Sequence, residues 1–367
     1  MTINSLQDKF ASTGEEVDGK DLSFKYTVTI IANAGFGIDA NALDGSPQGV
    51  QFLKMARKVS GAEQTAFDIM KSLVTLMLPK FLTKLGPELI NMKAVAFFND
   101  IIDQTLKMRD TRGTKSSSMV DLFSETMMGE ADDGIKKEVE KELEGQTLAA
   151  PKKFTTEEMD TIMRGNLFAL FLAGMELPAI MMSGCIYFLA KNQDVQEKLL
   201  DEIKELNLDD NLDYNTIMNL PYLDMVVQEA LRQSAFGDGN WKCARDYQVP
   251  GTNTIIPKGM HITVSARGIS LDERFFPDPM TFNPENFSKK NKESRNPVTN
   301  DIGFSIGPRK CIGNRFAILQ FKTGIANMVN RFRILPTPRT PEKYEPDPNK
   351  GTFDLKGGNW VKFERRD

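Results

Sequence analysis

Apolar positions recur at helical spacing over most of the first two thirds of the chain. Phe24 to Phe36 carries an apolar pattern closed by Gly35 and Gly37. Gln51 to Leu85 and Met92 to Met108 put apolar residues on one face and charges on the other, which predicts amphipathic helices. From Asp110 to Pro151 the periodicity stops. Runs such as TKSSS, EADDG and KKEVEKELEG predict a polar surface connection with short helices. The stretch FTTEEMD then restarts the pattern. Thr155 and Glu158 have the spacing of a reciprocal capping box, with Phe154 just ahead as a hydrophobic staple. The helix opened there runs through LFALFLAGMELPAIMMSGCIYFLA, Leu167 to Ala190. Further helices are predicted over Asp194 to Leu206, Tyr222 to Arg232 and Ile312 to Phe332.

From Cys243 onward the texture changes. Pro and Gly become frequent in VPGTNTIIPKGM, and TIIP and HITVSA read as short β runs. No internal repeat is evident. Helices, then a small sheet region, then a final helix predict a mainly α fold with a small β region.

Hydropathy raises one membrane question. Leu167 to Ala190 is long and apolar enough to span a bilayer. Glu176 sits near its middle, where an acid costs roughly 3 kcal/mol on insertion scales. Pro178 and two glycines also interrupt it. The reading adopted is a helix buried on all sides of a large domain. The polar N-terminus, MTINSLQDKFASTGEEVDGKD, predicts neither a signal peptide nor an anchor. The 367 residues are 40% hydrophobic and 26% charged, a globular composition. Basic residues number 46 and acidic ones 50, a net charge of −4. That balance argues against nucleic acid as the main partner. Three scattered cysteines, Cys185, Cys243 and Cys311, fit a reducing compartment. With His261 as the single histidine and no C-x-x-C pair, no zinc site can be assembled. No G-x-S-x-G elbow accompanies His261, which reads as a strand-surface or core residue.

The chemistry concentrates in FSIGPRKCIG, Phe304 to Gly313. A thiolate at Cys311 is a soft metal ligand, and it needs positive potential and amide donors. Arg309 and Lys310 precede it, and Ile312 and Gly313 are expected to open a helix whose free N–H groups face the sulfur. Gly307 and Gly313 let the backbone fold closely around a flat ligand, and Phe304 is placed to cover the sulfur. A buried structural cysteine would use the same residue types. The spacing Phe-x-x-Gly-x-Arg-x-Cys-x-Gly decides between the two readings.

That pattern resembles the haem-binding loop of the cytochrome P450 family at Phe304, Gly307, Arg309, Cys311 and Gly313. Three further segments match in the family's order: AGMEL (Ala173 to Leu177), EALR (Glu229 to Arg232) and FNPENF (Phe282 to Phe287). The texture is most similar to the animal microsomal subgroup that metabolises foreign compounds, and the resemblance covers nearly the whole chain. It implies a single domain over residues 1–367, with a helical middle portion over 1–150 and a haem-binding core over 151–367. It implies haem b, iron protoporphyrin IX, with Cys311 as axial ligand. Phe304, Gly307, Arg309 and Gly313 would shape the pocket, with Glu229 and Arg232 bracing it. Ala173, Gly174 and Glu176 would form the oxygen side, where catalysis occurs. The implied activity inserts one oxygen atom from O2 into a lipophilic small molecule, with NADPH-derived electrons from a reductase. The implied location is the cytoplasmic face of the endoplasmic reticulum membrane. Nucleic acid is not an expected partner.

Physical readings stand beside these. Glu229 and Arg232, three apart, share a helix face and would form a surface ion pair worth well under 1 kcal/mol. The family implies a buried brace instead. Ala173 and Gly174 would admit a flat macrocycle, or simply allow close helix packing. Glu176, an acid in an apolar run, reads as functional or water-linked. Lys289, Lys290, Lys292, Arg295 and Lys310 read as a solvated basic face or as a docking surface for an acidic electron donor.

The chain also departs from the family. Leu177 replaces a threonine whose hydroxyl helps proton delivery, and leucine neither donates nor accepts. Pro178 lacks an N–H, so the Gly174 carbonyl loses its helix partner and is expected to hold a substituting water. Asn286 stands where an arginine often joins the Glu–Arg pair, which predicts a weaker network. Trp241 stands where a propionate-binding arginine is usual, with Lys242 or Arg245 as substitutes. The chain begins where the family's middle helices begin, so the anchor and early sheet are expected to lie outside it. Two rival readings follow. One is a haem-thiolate isomerase or dehydratase acting without O2, suggested by Leu177. The other is a truncated, haem-poor chain with a non-catalytic role.

Overall fold

The computed structural model describes residues 13–40, 42, 45–60, 92–112, 118–122, 155–205, 213–234, 238–300, 302–347 and 354–366. Two compact units divide the chain, one formed mainly by Phe24–Leu177 and the other by Pro178–Pro348 with Asn4–Ser23 and Phe353–Asp367.

Among the described residues four helices contribute to the first unit, the first of them from Phe24 onward and the last up to Leu177. Helix α1 is Gly19–Phe36, α2 is Pro47–Ser60, α3 is Met92–Arg112 and α4 is Thr156–Lys191. The sequence places the start of α1 at Phe24, but the helix begins five residues earlier, where the Asp18 carboxylate accepts from the Lys20 N–H at 2.9 Å. It stops at Gly37, which takes the left-handed conformation (φ +67°) and donates its N–H to the Asn33 carbonyl. Of the helix expected over Gln51 to Leu85, the described part is α2, and residues 61–91 lie outside the described residues. Helix α3 matches its expectation. Most of the predicted connection from Asp110 to Pro151 also lies outside the described residues, as does Phe154. The core of this unit is aromatic. Phe52 meets Phe97, Phe98 and Phe171 edge-on, with ring centroids 5.6–5.9 Å apart, and Phe98 lies 4.4 Å from Phe171. Such pairs add about 0.5–1.5 kcal/mol each beyond area burial.

The capping box at the head of α4 forms as read. The Thr155 N–H donates to Glu158 Oε2 at 2.9 Å, and the Glu158 N–H donates to Thr155 Oγ1 at 3.2 Å. Helix α4 then runs for 36 residues straight through Pro178. Burial on all sides holds only for its second half. Along the first half, Ile162, Ala169, Ala173 and Leu177 form an exposed stripe, with Ile162 and Leu177 at 41% and 48% exposure. By length and composition this helix is long and apolar enough to cross a membrane, yet 56% of its apolar window is buried inside the protein.

Among the described residues the second unit combines helices with three small sheets. Its helices are α5 (Gln193–Glu205), α6 (Tyr214–Met218), α7 (Pro221–Gln233), α8 (Ala266–Ser270), α9 (Lys289–Ser294) and α10 (Asn314–Arg331). Strand β1 (Val17–Asp18) pairs with β7 (Trp360–Arg365), and β7 with β6 (Phe332–Pro336), all antiparallel, with Ile334 opposite Phe363. Strands β2 (Asp238–Lys242) and β5 (His261–Ser265) pair antiparallel with Trp241 opposite Ile262, and β3 (Tyr247–Gln248) pairs with β4 (Ile255–Ile256). The expected β runs are therefore present, whereas β1, β2, β6 and β7 had no counterpart in the sequence reading. Buried Gln196 of α5 satisfies the edge of β6. Its amide donates to the Ile334 carbonyl and accepts from the Ile334 N–H, at 2.9 and 2.8 Å. Glu202, also on α5, caps α7 by accepting from the N–H groups of Tyr222 and Leu223 at 2.6 and 2.8 Å.

Candidate functional site

The loop from Phe304 to Gly313 closes on itself. The Cys311 N–H donates to the Phe304 carbonyl at 2.8 Å, and the Lys310 N–H donates to the Gly307 carbonyl at 3.1 Å. Two left-handed residues make that closure possible, Ser305 at φ +61° and Gly307 at φ +78°. At Gly307 a side chain would meet this strain with no compensating contact. Helix α10 begins at Asn314 with Gly313 as its N-cap, so the predicted start at Ile312 is corrected by two residues. Ile312 is instead a turn residue, 90% exposed.

Cys311 is exposed, whereas Cys185 is fully buried and burial pushes its thiol well above the ordinary range. Cys311 thus differs in burial from Cys185, the cysteine packed inside the protein. Apolar side chains stand open on both sides of the thiol, Ile306 at 49% and Ile312 at 90%. Exposed apolar surface beside an accessible sulfur at a helix N-terminus suits a flat, apolar, metal-bearing ligand. Arg309 and Lys310 are exposed too. Phe304 is half-buried, and with Val227, Leu231, Arg232 and Ile318 it lines a cavity of about 60 Å³ between α7, α10 and the loop.

Glu229 and Arg232 are brought together and fully buried, with side chains 0% and 1% exposed. The surface-pair reading therefore fails. Arg232 Nε and Nη2 donate to Glu229 Oε2 and Oε1 at 2.8 and 2.7 Å. The outer nitrogen Nη1 donates to the carbonyls of Ser270 and Pro279 at 2.7 and 2.9 Å. Glu229 Oε1 also accepts from the Asn283 N–H at 2.9 Å and from the Asn286 amide at 3.2 Å. Asn286 thus takes part in the network, through a neutral donor. This bidentate geometry recruits chain from α8 to the turn at Pro284–Phe287 around one carboxylate.

Ala173, Gly174 and Glu176 belong to the first unit, and Cys311 and the Glu229–Arg232 pair to the second. Ala173 lies on the exposed stripe of α4, while Glu176 is buried. Gly174 faces elsewhere. A Cβ there would come within 2.7–2.8 Å of Ile31 on α1, and beside it Thr27 Oγ1 donates to the Met175 carbonyl at 2.8 Å. The small residue at 174 is thus explained by helix packing, while Ala173, the other small residue of the pair, is exposed.

Two other expectations change. Arg295 is no solvated charge: its guanidinium lies 4.2 Å from the Phe276 ring centroid and donates to the Asn286 carbonyl at 3.0 Å. Trp241 is 46% exposed on β2 and folds across Gly239, where a Cβ would sit about 2 Å from the indole. His261 is exposed on β5 opposite Lys242, the strand-surface placement. Among the described residues no His, Cys, Asp and Glu cluster can hold a metal ion. A single thiolate supporting a macrocycle-held metal needs no such cluster. Sequence reasoning missed Glu202, Gln196 and the inward turn of Arg295, and no local pattern could have signalled them.

A family model described as Cytochrome P450 matches residues 2–357 of the chain. The chain is similar to cytochrome P450 6B7 of Helicoverpa armigera, 31% identical over 94% of this chain and 65% of that protein. It is similar to cytochrome P450 9e2 of Blattella germanica, 31% identical over 95% of this chain and 64% of that protein. Cytochrome P450 6B1 of Papilio polyxenes is 30% identical over 99% of this chain and 69% of its own length. The chain thus spans about two thirds of the length of the curated relatives it matches.

Proposed function

Because the chain belongs to the cytochrome P450 family, we propose that it is the haem-thiolate portion of a monooxygenase. Its substrate would be a lipophilic foreign compound, its electrons would come from NADPH through a reductase, and it would work at the endoplasmic reticulum membrane. The observation that carries this reading is the exposed Cys311 thiol on a loop closed by its own backbone, at the head of α10. Cys311 would hold the iron, with Phe304, Gly307, Arg309 and Gly313 fixing the loop. When bound, haem supplies the oxygen-activating chemistry, which an electron-donating thiolate favours. The chain's own residues do the rest. The loop bond from the Cys311 N–H to the Phe304 carbonyl fixes the sulfur's direction. Gly313 caps α10 two residues after the sulfur, so Cys311 stands just ahead of that helix's N-terminus. The exposed stripe at Ala173 and Leu177 offers an apolar surface for a lipophilic molecule. Buried Glu176 lies on the same stretch of α4, and the Gly174 carbonyl, freed by Pro178, would hold a water where the family has a hydroxyl.

The test is the difference spectrum of the reduced, carbon monoxide-treated full chain expressed with haem supplied. The wild type should show the thiolate-type Soret band and Cys311→Ser should lose it; a band unchanged in Cys311→Ser would falsify the assignment. A second reading rests on exposed Leu177, which leaves no hydroxyl on the Ala173 face. It is an isomerase or dehydratase that rearranges peroxides without O2. Turnover of a lipid hydroperoxide in the absence of NADPH would favour it.

A further inference from the structure

The Glu229 carboxylate accepts four hydrogen bonds, from Arg232 (two), Asn283 and Asn286. Among the described residues, Arg232 is the cation that donates directly to it. A second guanidinium is turned toward the same cluster. Arg295 stacks 4.2 Å from the centroid of Phe276 and 5.1 Å from that of Phe287, while Arg232 lies 4.8 Å from the same Phe276 ring. Two cations sharing one buried ring repel each other unless an anion compensates both. Glu229 is that anion. Burial disfavours the charge on Arg295, attraction to Glu229 favours it and Arg232 opposes it. Arg295 spends its donors on structure as well. Nη1 holds the Asn286 carbonyl at 3.0 Å, the backbone of the residue whose amide reaches Glu229. Nε and Nη2 hold Asn300 Oδ1 at 3.3 and 2.8 Å. Asn300, Gly303 and Phe304 then line one cavity with Arg232, at the entry to the cysteine loop.

We propose that Arg295 is a positioning residue for the Cys311 loop: it supplies the second positive charge of the Glu229–Arg232 cluster across neutral Asn286, and through Asn300 it ties that cluster to the segment entering the loop. Its place in the sequence, among exposed lysines, conceals this role.

The experiment measures melting of the full chain. Arg295→Met keeps an apolar stem over Phe276 and removes the charge, and the melting temperature should fall by roughly 5 °C. Asn286→Arg supplies a cation beside Glu229 by another route and should return most of that loss in the double variant. Glu229→Gln removes the anion, and in that background Arg295→Met should cost at most half as much. The second cycle decides the matter if Asn286→Arg fails to fold. Arg295→Met melting with the wild type, or costing the same with and without Glu229, would overturn the proposal. A spectroscopic arm reads the loop. In Arg295→Met the carbon monoxide band should shift from thiolate type toward thiol type, and Asn286→Arg should reverse the shift. An unshifted band overturns the positioning role. This arm alone rests on Cys311 holding haem. If the wild type also lacks the thiolate band, the haem reading fails and the melting arm still decides the role of Arg295.

Discussion

Gly174 shows how a distance settles a residue's meaning. An alanine inside a helix is worth about 1 kcal/mol over glycine, but a Cβ at 174 would overlap Ile31 at 2.7–2.8 Å. Overpacking of this kind costs about 1–3 kcal/mol. Gly174→Ala should therefore lose about 1 kcal/mol net in urea denaturation, and should gain about that much in an Ile31→Ala background. The reversal of sign is the test, since a glycine kept only for ligand access would show none. At Leu177 the prediction concerns chemistry. If the missing hydroxyl limits proton delivery, Leu177→Thr should lower peroxide leakage per NADPH consumed by a few fold, and unchanged leakage would remove that reading. Asp18 offers a pH test. Burial first, and then Asp21 and Asp354, raise its carboxyl above the usual range. The ionised form thus costs stability above the ordinary carboxylate pKa and nothing below it. Asp18→Asn keeps the oxygen that accepts from Lys20 and removes the charge. Its melting temperature should exceed the wild type's near pH 7, and the gain should vanish as pH falls below about 4. At this scale the closed loop that carries Cys311 was legible because its backbone bonds and glycines lie within ten residues of chain. Arg295 was misread because its partners, Phe276 and Glu229, are brought to it by the fold, and a run of lysines looks the same whether or not one neighbour turns inward.

Elements were legible where a periodic face and a local stop signal coincide. The head of α4 formed as read because Thr155 and Glu158 satisfy each other's N–H groups without outside help. Strand β2 was illegible because DGNWK has almost no intrinsic strand preference. It becomes a strand by pairing with β5 over five residues. Strand β6 was illegible for another reason. It follows α10 with no breaker between Arg331 and Phe332, and its edge is finished by Gln196, well over a hundred residues earlier. The head of α7 depends in the same way on a distant residue. Leu220 at its N-cap makes no side-chain hydrogen bond, and Glu202 of α5 supplies the acceptor. Glu202→Ala should cost about 1 kcal/mol by loss of that cap, read as a lower urea midpoint with an unchanged slope. The Glu229–Arg232 pair should cost far more to break. Glu229→Gln leaves a buried guanidinium short of its anion, and a loss of about 3–5 kcal/mol is expected by denaturant titration. A loss under 1 kcal/mol would return the pair to the class of surface ion pairs.

At the scale of the whole molecule, a net charge of −4 hides an uneven distribution. Lys289 and Lys290 on α9 and Lys310 in the cysteine loop are exposed and belong to the same unit as Cys311. With Arg295 drawn toward the Phe276 cluster, these exposed lysines are the proposed contact for a negatively charged electron donor. Local positive charge of this kind accelerates encounter without adding contact area, and salt suppresses it over a Debye length of about 10 Å at 0.1 M. Charge reversal at Lys289, Lys290 and Lys310 should therefore slow reduction by a reductase by about tenfold at low ionic strength. In high salt the variant and wild-type rates should converge, because only steering has been lost. Arg295→Met gives the opposite signature. Its effect comes from a half-buried charge held against Phe276, which salt screens less than an exposed one, so its defect should persist at high ionic strength. Stopped-flow reduction across a salt series separates the two. If the triple reversal leaves the rate unchanged at every salt concentration, the lysines are ordinary solvated charges, and donor docking must be sought on another face.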